Sequence, residues 1–438
     1  ILDQLREADD AQYVTPLDLS LADKDDQKNA LKTIDASMTN LVDSINALKD
    51  TSLFSERSTS VTGTSVDVTA AINSDEQSFT LDVVNLATKQ IEQSASFGSN
   101  TDTIATAAGS MNLNIDGLDF TIDYTNTTTL DDLKNSINDI AGDKVDATVV
   151  QIASGQYSLF ISSVDTGTTQ NITMTDNDLA TPTLDAKLTT GMTAIQTGID
   201  ANFKFNGQDV TRTSNNVTDL IVGLDITLKE VGVTEVSIKQ DNENILEKID
   251  SFVAKFNETI TELNSMTKSS LDNESRGIFS SDSTVRGMQD SIVSMITNTT
   301  SGSIFDFGFD LDKDGKLSVD KTVLGEALEN NNSNVKAFFA GGTYTNADSS
   351  TVELEGAFVE FSAQVEVYTK YNAILDQMKT SITDSVSSLE EQKTDMIERL
   401  DSKYDTMQKR FIAYDIMMSR LNSASSMFAQ MISTNDDS

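Results

Sequence analysis

The sequence predicts an α+β fold, in which long N- and C-terminal helices form a coiled-coil or helical-bundle stalk and a β-rich head of two domains is inserted between them. Two observations support this prediction. Apolar residues near both ends of the 438-residue chain recur at steps of three and four. Residues from roughly 60 to 240 instead form short segments in which apolar and polar residues alternate, separated by Gly, Asn and Asp.

The N-terminal end carries an apolar stripe with the spacing of a helix that packs on another helix. Its members, which we call the N-terminal stripe, step by 3, 4, 3, 4 and 3: Leu31, Ile34, Met38, Leu41, Ile45 and Leu48. Charged residues at 23–26 precede it. Because this repeat keeps one side of a helix apolar, we expect the stripe to face a partner helix.

The middle of the chain is predicted to be β-rich with a single helix. Phe79, Leu81 and Val83 alternate with polar residues, as strands with one buried face do. The helix follows Thr129, which has the chemistry of an N-cap. Its predicted apolar side consists of Leu130, Leu133, Ile137 and Ile140.

The stretch "FGFDLDKDGKLSVDKTVL" at 307–324 resembles half of a calcium-binding loop. The residue types required at positions 1, 3, 5 and 6 of such a loop are present: Asp310, Asp312, Asp314 and Gly315. Position 12 requires a bidentate Glu, but Lys321 stands there. Apolar residues alternate on both sides of a Lys-Asp-Gly-Lys tip, so we favour a β-hairpin and keep the calcium loop as the alternative.

The C-terminal end carries the longest regular repeat. Its members, which we call the C-terminal stripe, step by 3 and 4 throughout: Tyr404, Met407, Phe411, Tyr414, Met418, Leu421, Ser425, Phe428 and Ile432. We expect the N-terminal stripe to be its partner within the chain. Met is frequent here, which favours ordinary core packing and leaves open an adaptable surface for a non-identical partner.

These patterns divide the chain into five predicted parts. They are N-terminal helices at 1–60; a first β-rich domain at 61–100 plus 200–240; a second, inserted β-rich domain with one helix at 101–199; a helical domain with a hairpin at 305–320, spanning 241–345; and C-terminal coiled-coil helices at 346–438.

Composition excludes several classes of function. The chain has 31 Lys plus Arg against 69 Asp plus Glu, a net charge of −38, which repels nucleic acid and anionic membranes. Cys and His are absent, which removes the usual nucleophiles, bases and zinc ligands. We therefore expect no enzyme, no cofactor, no metal site and no membrane insertion.

Several motifs, in order along the chain, resemble one bacterial family. They are "FTLDVVNLATKQIEQSASF" (79–97), "TLDDLKNSIND" (129–139), "VDATVVQIASGQYSLFISSVDTG" (145–167), "FKFNGQDVTRTSNNVTDLIVGLDITL" (203–228), "IFSSDSTVRGMQDSI" (278–292), "GFDLDKDGKLSVD" (308–320) and "LNSASSMFAQMI" (421–432). With helical ends around a β-rich middle, they resemble the flagellar filament cap family, flagellar hook-associated protein 2 (FliD). The resemblance marks six residues as structural parts of its motifs: Gly207, Arg212, Asn215, Gly223, Asp314 and Gly315.

The resemblance implies a ring of about five protomers at the distal tip of the filament, where it promotes polymerisation of exported flagellin and prevents its loss to the medium. It implies secretion through the flagellar export apparatus to the cell exterior. Partners would be other copies and flagellin, with an export chaperone and host-surface ligands as further candidates. The alternatives are a hook–filament junction protein and a cell-surface or flagellar adhesin. The chain starts at Ile1 inside an apparent helix, so we expect that residues before it are missing.

Overall fold

A computed structural model describes residues 1–178, 180–270 and 276–435, with only the backbone from 431 to 435. Its contacts form two compact units. The helical unit consists of residues 1–54 and the chain from 242 onward, and the β unit consists of residues 55–241. Long terminal helices and a β-rich central region confirm the predicted α+β class. The five-part division of the chain stays a prediction.

The helices lie mainly at the two ends of the chain. In the described residues they are α1 (Leu2–Asp9), α2 (Thr15–Lys49), α3 (Leu130–Ala141), α4 (Asn242–Thr267), α5 (Ser283–Thr297), α6 (Lys321–Ala340), α7 (Ala357–Thr369) and α8 (Ile374–Asn435). A π-helical turn, Asp10–Val14, joins α1 to α2. Short 3₁₀ turns lie at Leu53–Ser55, Ala186–Leu188 and Ile304–Phe307.

The strands lie mainly in the β unit, which contains β1 (Arg57–Thr62), β2 (Val66–Ala70), β3 (Gln77–Asn85), β4 (Ile91–Gln93), β5 (Gly109–Ile115), β6 (Leu118–Tyr124), β7 (Val145–Ala153), β8 (Gln156–Ser163), β9 (Thr173–Asp176), β10 (Thr193–Gln196), β11 (Ala201–Phe205), β12 (Gln208–Arg212), β13 (Asn216–Val217), β14 (Leu224–Leu228) and β15 (Gly232–Gln240). The helical unit adds two hairpins, β16 (Phe309–Leu311) with β17 (Leu317–Val319), and β18 (Gly342–Thr345) with β19 (Thr351–Leu354).

The core of the helical unit forms around the N-terminal stripe. All six of its residues are buried, and α2 packs on α4, α7 and the first part of α8. A stacked pair of aromatic rings, Phe339 and Phe358, lies in the same core with its centroids 4.8 Å apart. The edge of Phe252 from α4 meets Phe358 at 4.9 Å. Burial of large side chains from several helices therefore joins the two ends of the chain.

Side-chain caps begin α3, α5 and α6, and the cap of α3 is Thr129, as the sequence predicts. The carboxylates of Asp282 and Asp320 each accept hydrogen bonds from two backbone N–H groups in the first turn of α5 and α6. Thr129 and Asp132 form a reciprocal capping box at the start of α3. The predicted apolar side of α3 is wrong at its last residue. Ile140 is exposed and Ala141 is buried instead, because the step of four from Ile137 returns to the core side.

The β unit contains two hydrophobic cores. The first lies between a five-stranded antiparallel sheet, β1-β15-β3-β11-β12, and a three-stranded sheet, β13-β14-β2. Phe79, Leu81 and Val83 of β3 point into it, which confirms the predicted alternation. The second core involves a four-stranded sheet, β10-β4-β8-β7, a three-stranded sheet, β6-β5-β9, and α3.

The stretch that resembled a calcium loop is a hairpin in the structure. Phe309 pairs with Val319 and Leu311 with Leu317. The Asp312 carboxylate accepts hydrogen bonds from the backbone N–H groups of Asp314, at 2.9 Å, and Lys316, at 2.8 Å. Asp312 therefore holds the turn in shape, as Asp commonly does at this position.

The two apolar stripes should respond differently to the same substitution. Replacing the buried Leu41 with alanine should lower the free energy of unfolding by about 2–5 kcal/mol, because it leaves a cavity in the core. Replacing Leu421, which is 62% exposed, should change it by less than about 0.5 kcal/mol. Urea unfolding followed by circular dichroism, on monomeric protein, measures both. Equal losses would contradict this placement of the two stripes.

Candidate interaction surface

Helix α8 is packed in its first part and exposed in its last part. Leu375 and Ile382 belong to the core of the helical unit, and Leu400 is also buried. From Phe411 to Phe428, large apolar side chains are exposed, with Phe411 at 45% and Met418 at 54%. Exposed apolar surface of this extent on a soluble helix is typical of an interaction site.

Ion pairs hold the N-terminal helices along α8. We call them the ion-pair row: Arg6–Asp401 at 2.6 Å, Asp9–Lys403 at 2.6 Å, Asp18–Lys393 at 2.5 Å and Asp35–Lys379 at 2.9 Å. From Asp9 through Asp18 to Asp35 the partners on α8 fall from Lys403 to Lys393 and Lys379, so the N-terminal helices run antiparallel to α8. Each exposed pair contributes little on its own, about 0–1 kcal/mol, but the row fixes the register.

Tyr404 is the residue of the C-terminal stripe most closely tied to the N-terminal helices. Its hydroxyl donates a hydrogen bond to the Asp9 carboxylate at 2.8 Å, and Lys403 donates a second at 2.6 Å. These two donors hold the pKa of Asp9 below its ordinary value of 3.8. The Arg6 guanidinium lies 5.6 Å from the centroid of the Tyr404 ring. Tyr404 and Met407 are half-buried, and the residues of the stripe from Phe411 to Phe428 are exposed.

The exposed part of α8 has apolar residues on two sides, because successive helical residues are about 100° apart. One side carries Phe411, Tyr414, Met418, Leu421 and Phe428 of the C-terminal stripe. The roughly opposite side carries Ile412, Ile416 and Met427. We call residues 411–428 with these two sides the C-terminal surface. A helix that is apolar on two sides fits between neighbours rather than against a single one.

The segment that contains the C-terminal surface, residues 406–430, also differs from the rest of the chain in charge. Between residues 406 and 430 the basic residues are Lys409, Arg410 and Arg420, and the one acidic residue is Asp415. This segment is therefore net basic in a chain with a net charge of −38. Opposite charge steers association, so an acidic partner surface would suit it.

The structure does not pair the two stripes with each other, which corrects the pairing expected from the sequence. The Asp35–Lys379 contact places the start of the N-terminal stripe beside the first turns of α8. The antiparallel register then leaves residues 404–432 far from 31–48. Ser425 is exposed, and for Ile432 only the backbone is described.

The residues marked by the family motifs hold turns and cross-links of the backbone. Gly207, with φ +85°, follows Asn206, with φ +47°, in the tight turn between β11 and β12. Gly223 and Gly315 also have positive φ, +81° and +76°. Asp314 lies beside Gly315 at the tip of the β16–β17 hairpin, where Lys313 contacts it.

Arg212 and Asn215 fix the segment between β12 and β13. The Arg212 Nε atom lies 2.9 and 3.1 Å from the two carboxylate oxygens of Asp219. The Asn215 side chain pairs with the backbone of Ala87, accepting from its N–H at 2.7 Å and donating to its carbonyl at 2.8 Å. Asn215 thus replaces a missing strand partner, a role that sequence spacing alone does not reveal.

Within the part of the chain that the structure describes, no group of three or more acidic side chains is arranged to hold a metal ion. None of the described helices is both long enough and apolar enough to cross a membrane.

Comparison with known proteins gives matches at both ends of the chain. The family model described as flagellar hook-associated protein 2 C-terminus matches residues 198–423, and the one described as flagellar hook-associated protein 2 N-terminus matches residues 1–90. The chain is similar to flagellar hook-associated protein 2 of Helicobacter pylori, with 30% identity over 238 residues, 52% of this chain and 35% of that protein. It thus spans about a third of that relative.

Similarity to Escherichia coli proteins extends over more of the chain. Flagellar hook-associated protein 2 of that organism is 25% identical over an alignment covering 100% of this chain and 96% of that protein. A crystal structure of the Escherichia coli flagellar cap protein FliD has a TM-score of 0.62 and 24% identity, over 81% of this chain and 99% of that one. The solved structure supports the fold.

Removing the charge of Asp9 should loosen the N-terminal helices. In the Asp9→Asn variant, amides of residues 2–14 should exchange with deuterium several-fold faster, because Lys403 loses its ionic partner and Tyr404 a charged acceptor. Since the pKa of Asp9 is lowered in the fold, its contribution is complete above pH 3.8 and is lost as the pH falls through the lowered pKa. The exposed Asp25→Asn variant is the control, and equal exchange in both would contradict the ion-pair row.

Truncating Asn215 should destabilise the β unit. The Asn215→Ala variant leaves the N–H and carbonyl of Ala87 without these partners and should lower the free energy of unfolding by about 1–2 kcal/mol. The exposed neighbour Asn216, changed to alanine, should have a much smaller effect. Urea unfolding monitored by far-ultraviolet circular dichroism compares them. A neutral Asn215→Ala variant would show that the side chain is dispensable.

Proposed function

Because this chain belongs to the flagellar hook-associated protein 2 family, we propose that it acts as a filament cap: an oligomeric ring at the distal filament tip that promotes polymerisation of exported flagellin and prevents its loss to the medium. The family consists of extracellular, structural proteins of the flagellum rather than enzymes. The chain would reach the tip through the flagellar export apparatus.

The C-terminal surface is the observation that carries this proposal. It is an exposed, two-sided apolar helix joined to a packed helical unit, so it can insert between partner helices while the rest of the fold stays intact. A cap must bind the filament end and still move as each subunit is added. A single helix offers limited contact area, which favours short-lived contacts over a permanent joint.

Partners follow from the same surface. One apolar side would pack on another copy in the ring and the other on flagellin at the filament end. Before secretion the apolar side chains of the same helix would need to be shielded from water, and an export chaperone would shield them. Each partner would meet the Lys409, Arg410 and Arg420 charges, so acidic surfaces are favoured.

Replacing two residues of the C-terminal stripe with aspartate should abolish capping. In cells that carry the Phe411→Asp, Met418→Asp double variant, charges replace exposed apolar contacts, so filaments should be stunted or absent and unpolymerised flagellin should collect in the medium. Electron microscopy and immunoblots of the medium measure this. Immunoblots must also detect the variant outside the cell, which separates loss of capping from loss of export.

A matched double variant controls for charge. Ser387 and Thr394 are exposed residues of α8 that precede the C-terminal surface and are seven residues apart, as Phe411 and Met418 are, so Ser387→Asp with Thr394→Asp adds the same charge and should leave filaments normal. Deletion of the gene should reproduce the leak of flagellin, and purified unaltered protein should restore growth. Filaments of normal length without leaked flagellin, in the deletion strain, would overturn the cap function and favour an adhesin.

A further inference from the structure

A cleft of about 660 Å³ opens beside the second core of the β unit. Its lining includes residues of β9 and β10, which are the outermost strands of two different sheets. The apolar side chains in it are Ile172, Met174, Pro182, Met192 and Ala194. The remaining lining is mostly threonine, with two acidic residues, Glu92 and Asp176.

Both strands at the cleft have an edge without a strand partner in the described part of the chain. Such an edge presents backbone N–H and carbonyl groups that can accept one more strand. All four residues of β10 are exposed, including Ile195. Natural edges are often protected by lysine or proline, and β10, "TAIQ", has neither. The cleft therefore offers an extended segment a backbone ladder and an apolar pocket together.

Glu92 is a carboxylate buried at the cleft. It lies in β4 opposite Ala194 and is 7% exposed. One of its oxygens accepts a hydrogen bond from the side-chain amide of Gln90, whose own oxygen accepts from the N–H of Gly198 at 2.8 Å. Among the described residues, no Lys or Arg forms an ion pair with Glu92. An uncompensated buried charge is unfavourable, so this position is suited to an incoming cation.

Asp176, the other acidic residue of the cleft, has all its partners within the fold. Its oxygens accept hydrogen bonds from the Tyr124 hydroxyl and from the backbone N–H groups of Asp178, Thr183 and Leu184, at 2.8–3.1 Å. Burial acts to raise the pKa of Asp176, but these donors outweigh burial and the pKa lies below its ordinary value. Asp176 is therefore structural, and Glu92 is the acid available to a ligand.

We propose that this cleft binds an extended segment of a partner polypeptide that carries a lysine or arginine between apolar residues. The segment adds a strand to the edge of β9 or β10, its apolar side chains meet Met174 and Met192, and its cation pairs with Glu92. The negative charge of Glu92 disfavours phosphate and other anions, and the net charge of −38 favours a cationic partner. This site is separate from the C-terminal surface and does not depend on the capping function.

Peptide titration of the full chain tests the proposal. The probe is acetyl-Thr-Val-Thr-Lys-Thr-Val-Thr-amide, which places two valines and the lysine on one side of a strand. Nuclear magnetic resonance should show saturable shifts of the backbone amides of 173–176 and 193–196. The same peptide with norleucine for lysine should bind about tenfold more weakly, since it lacks the charge-assisted contact with Glu92.

Variants locate the contact. Glu92→Gln should reduce the affinity for the lysine peptide to that of the norleucine peptide, while Glu235→Gln, at an exposed site on β15, should leave it unchanged. Equal binding of both peptides to the unaltered chain would overturn the proposal even if Glu92→Gln failed to fold. Shifts confined to other residues, or no saturable shift at millimolar peptide, would also overturn it. Shifts of the same amides on raising protein concentration alone would make the occupant a second copy, contrary to the proposal.

Discussion

The N-terminal stripe packs into a core that no continuous stretch of this chain could build. Its six residues come from α2, and the surfaces that bury them come from α4, α7 and α8, which follow the whole β unit in sequence. Burial of each large apolar side chain stabilises the fold by about 1.5–3 kcal/mol, and only the assembled helices provide it. The two ends of the chain must therefore meet before either end is stable.

The ion-pair row adds register to that packing. Apolar contact is non-directional, so a stripe with steps of three and four could slide by a turn along its partner at small cost. Acidic residues of α1 and α2 meet Lys379, Lys393 and Lys403 of α8, and Arg6 meets Asp401. A slide would break all of these pairs together. The register they set leaves the last turns of α8 without a neighbour in the described chain.

Sequence periodicity predicted which residues form the apolar side of a helix, but not which other helix buries that side. The steps of the N-terminal stripe predicted a buried helix face, and Leu31 to Leu48 are buried. The same steps in the C-terminal stripe gave no sign that Phe411 and Leu421 would be exposed, because periodicity describes one helix and burial depends on two. Periodicity could not predict the roles of Asn215 and Glu92 for a related reason. Their roles depend on Ala87 and Gln90, and such contacts leave no regular pattern.

The C-terminal surface and the β9–β10 cleft each leave an unfavourable arrangement in the described chain, and the two arrangements differ in kind. The helix leaves apolar side chains in water, whereas the cleft keeps a carboxylate out of water beside one amide donor. A partner stabilises the C-terminal surface by removing apolar area from solvent. Such contact tolerates differences in sequence and suits repeated, reversible binding. A partner stabilises the cleft by placing one cation at one carboxylate oxygen, and this contact is selective. The exposed helix is thus suited to successive copies of an abundant subunit, and the cleft to a particular segment.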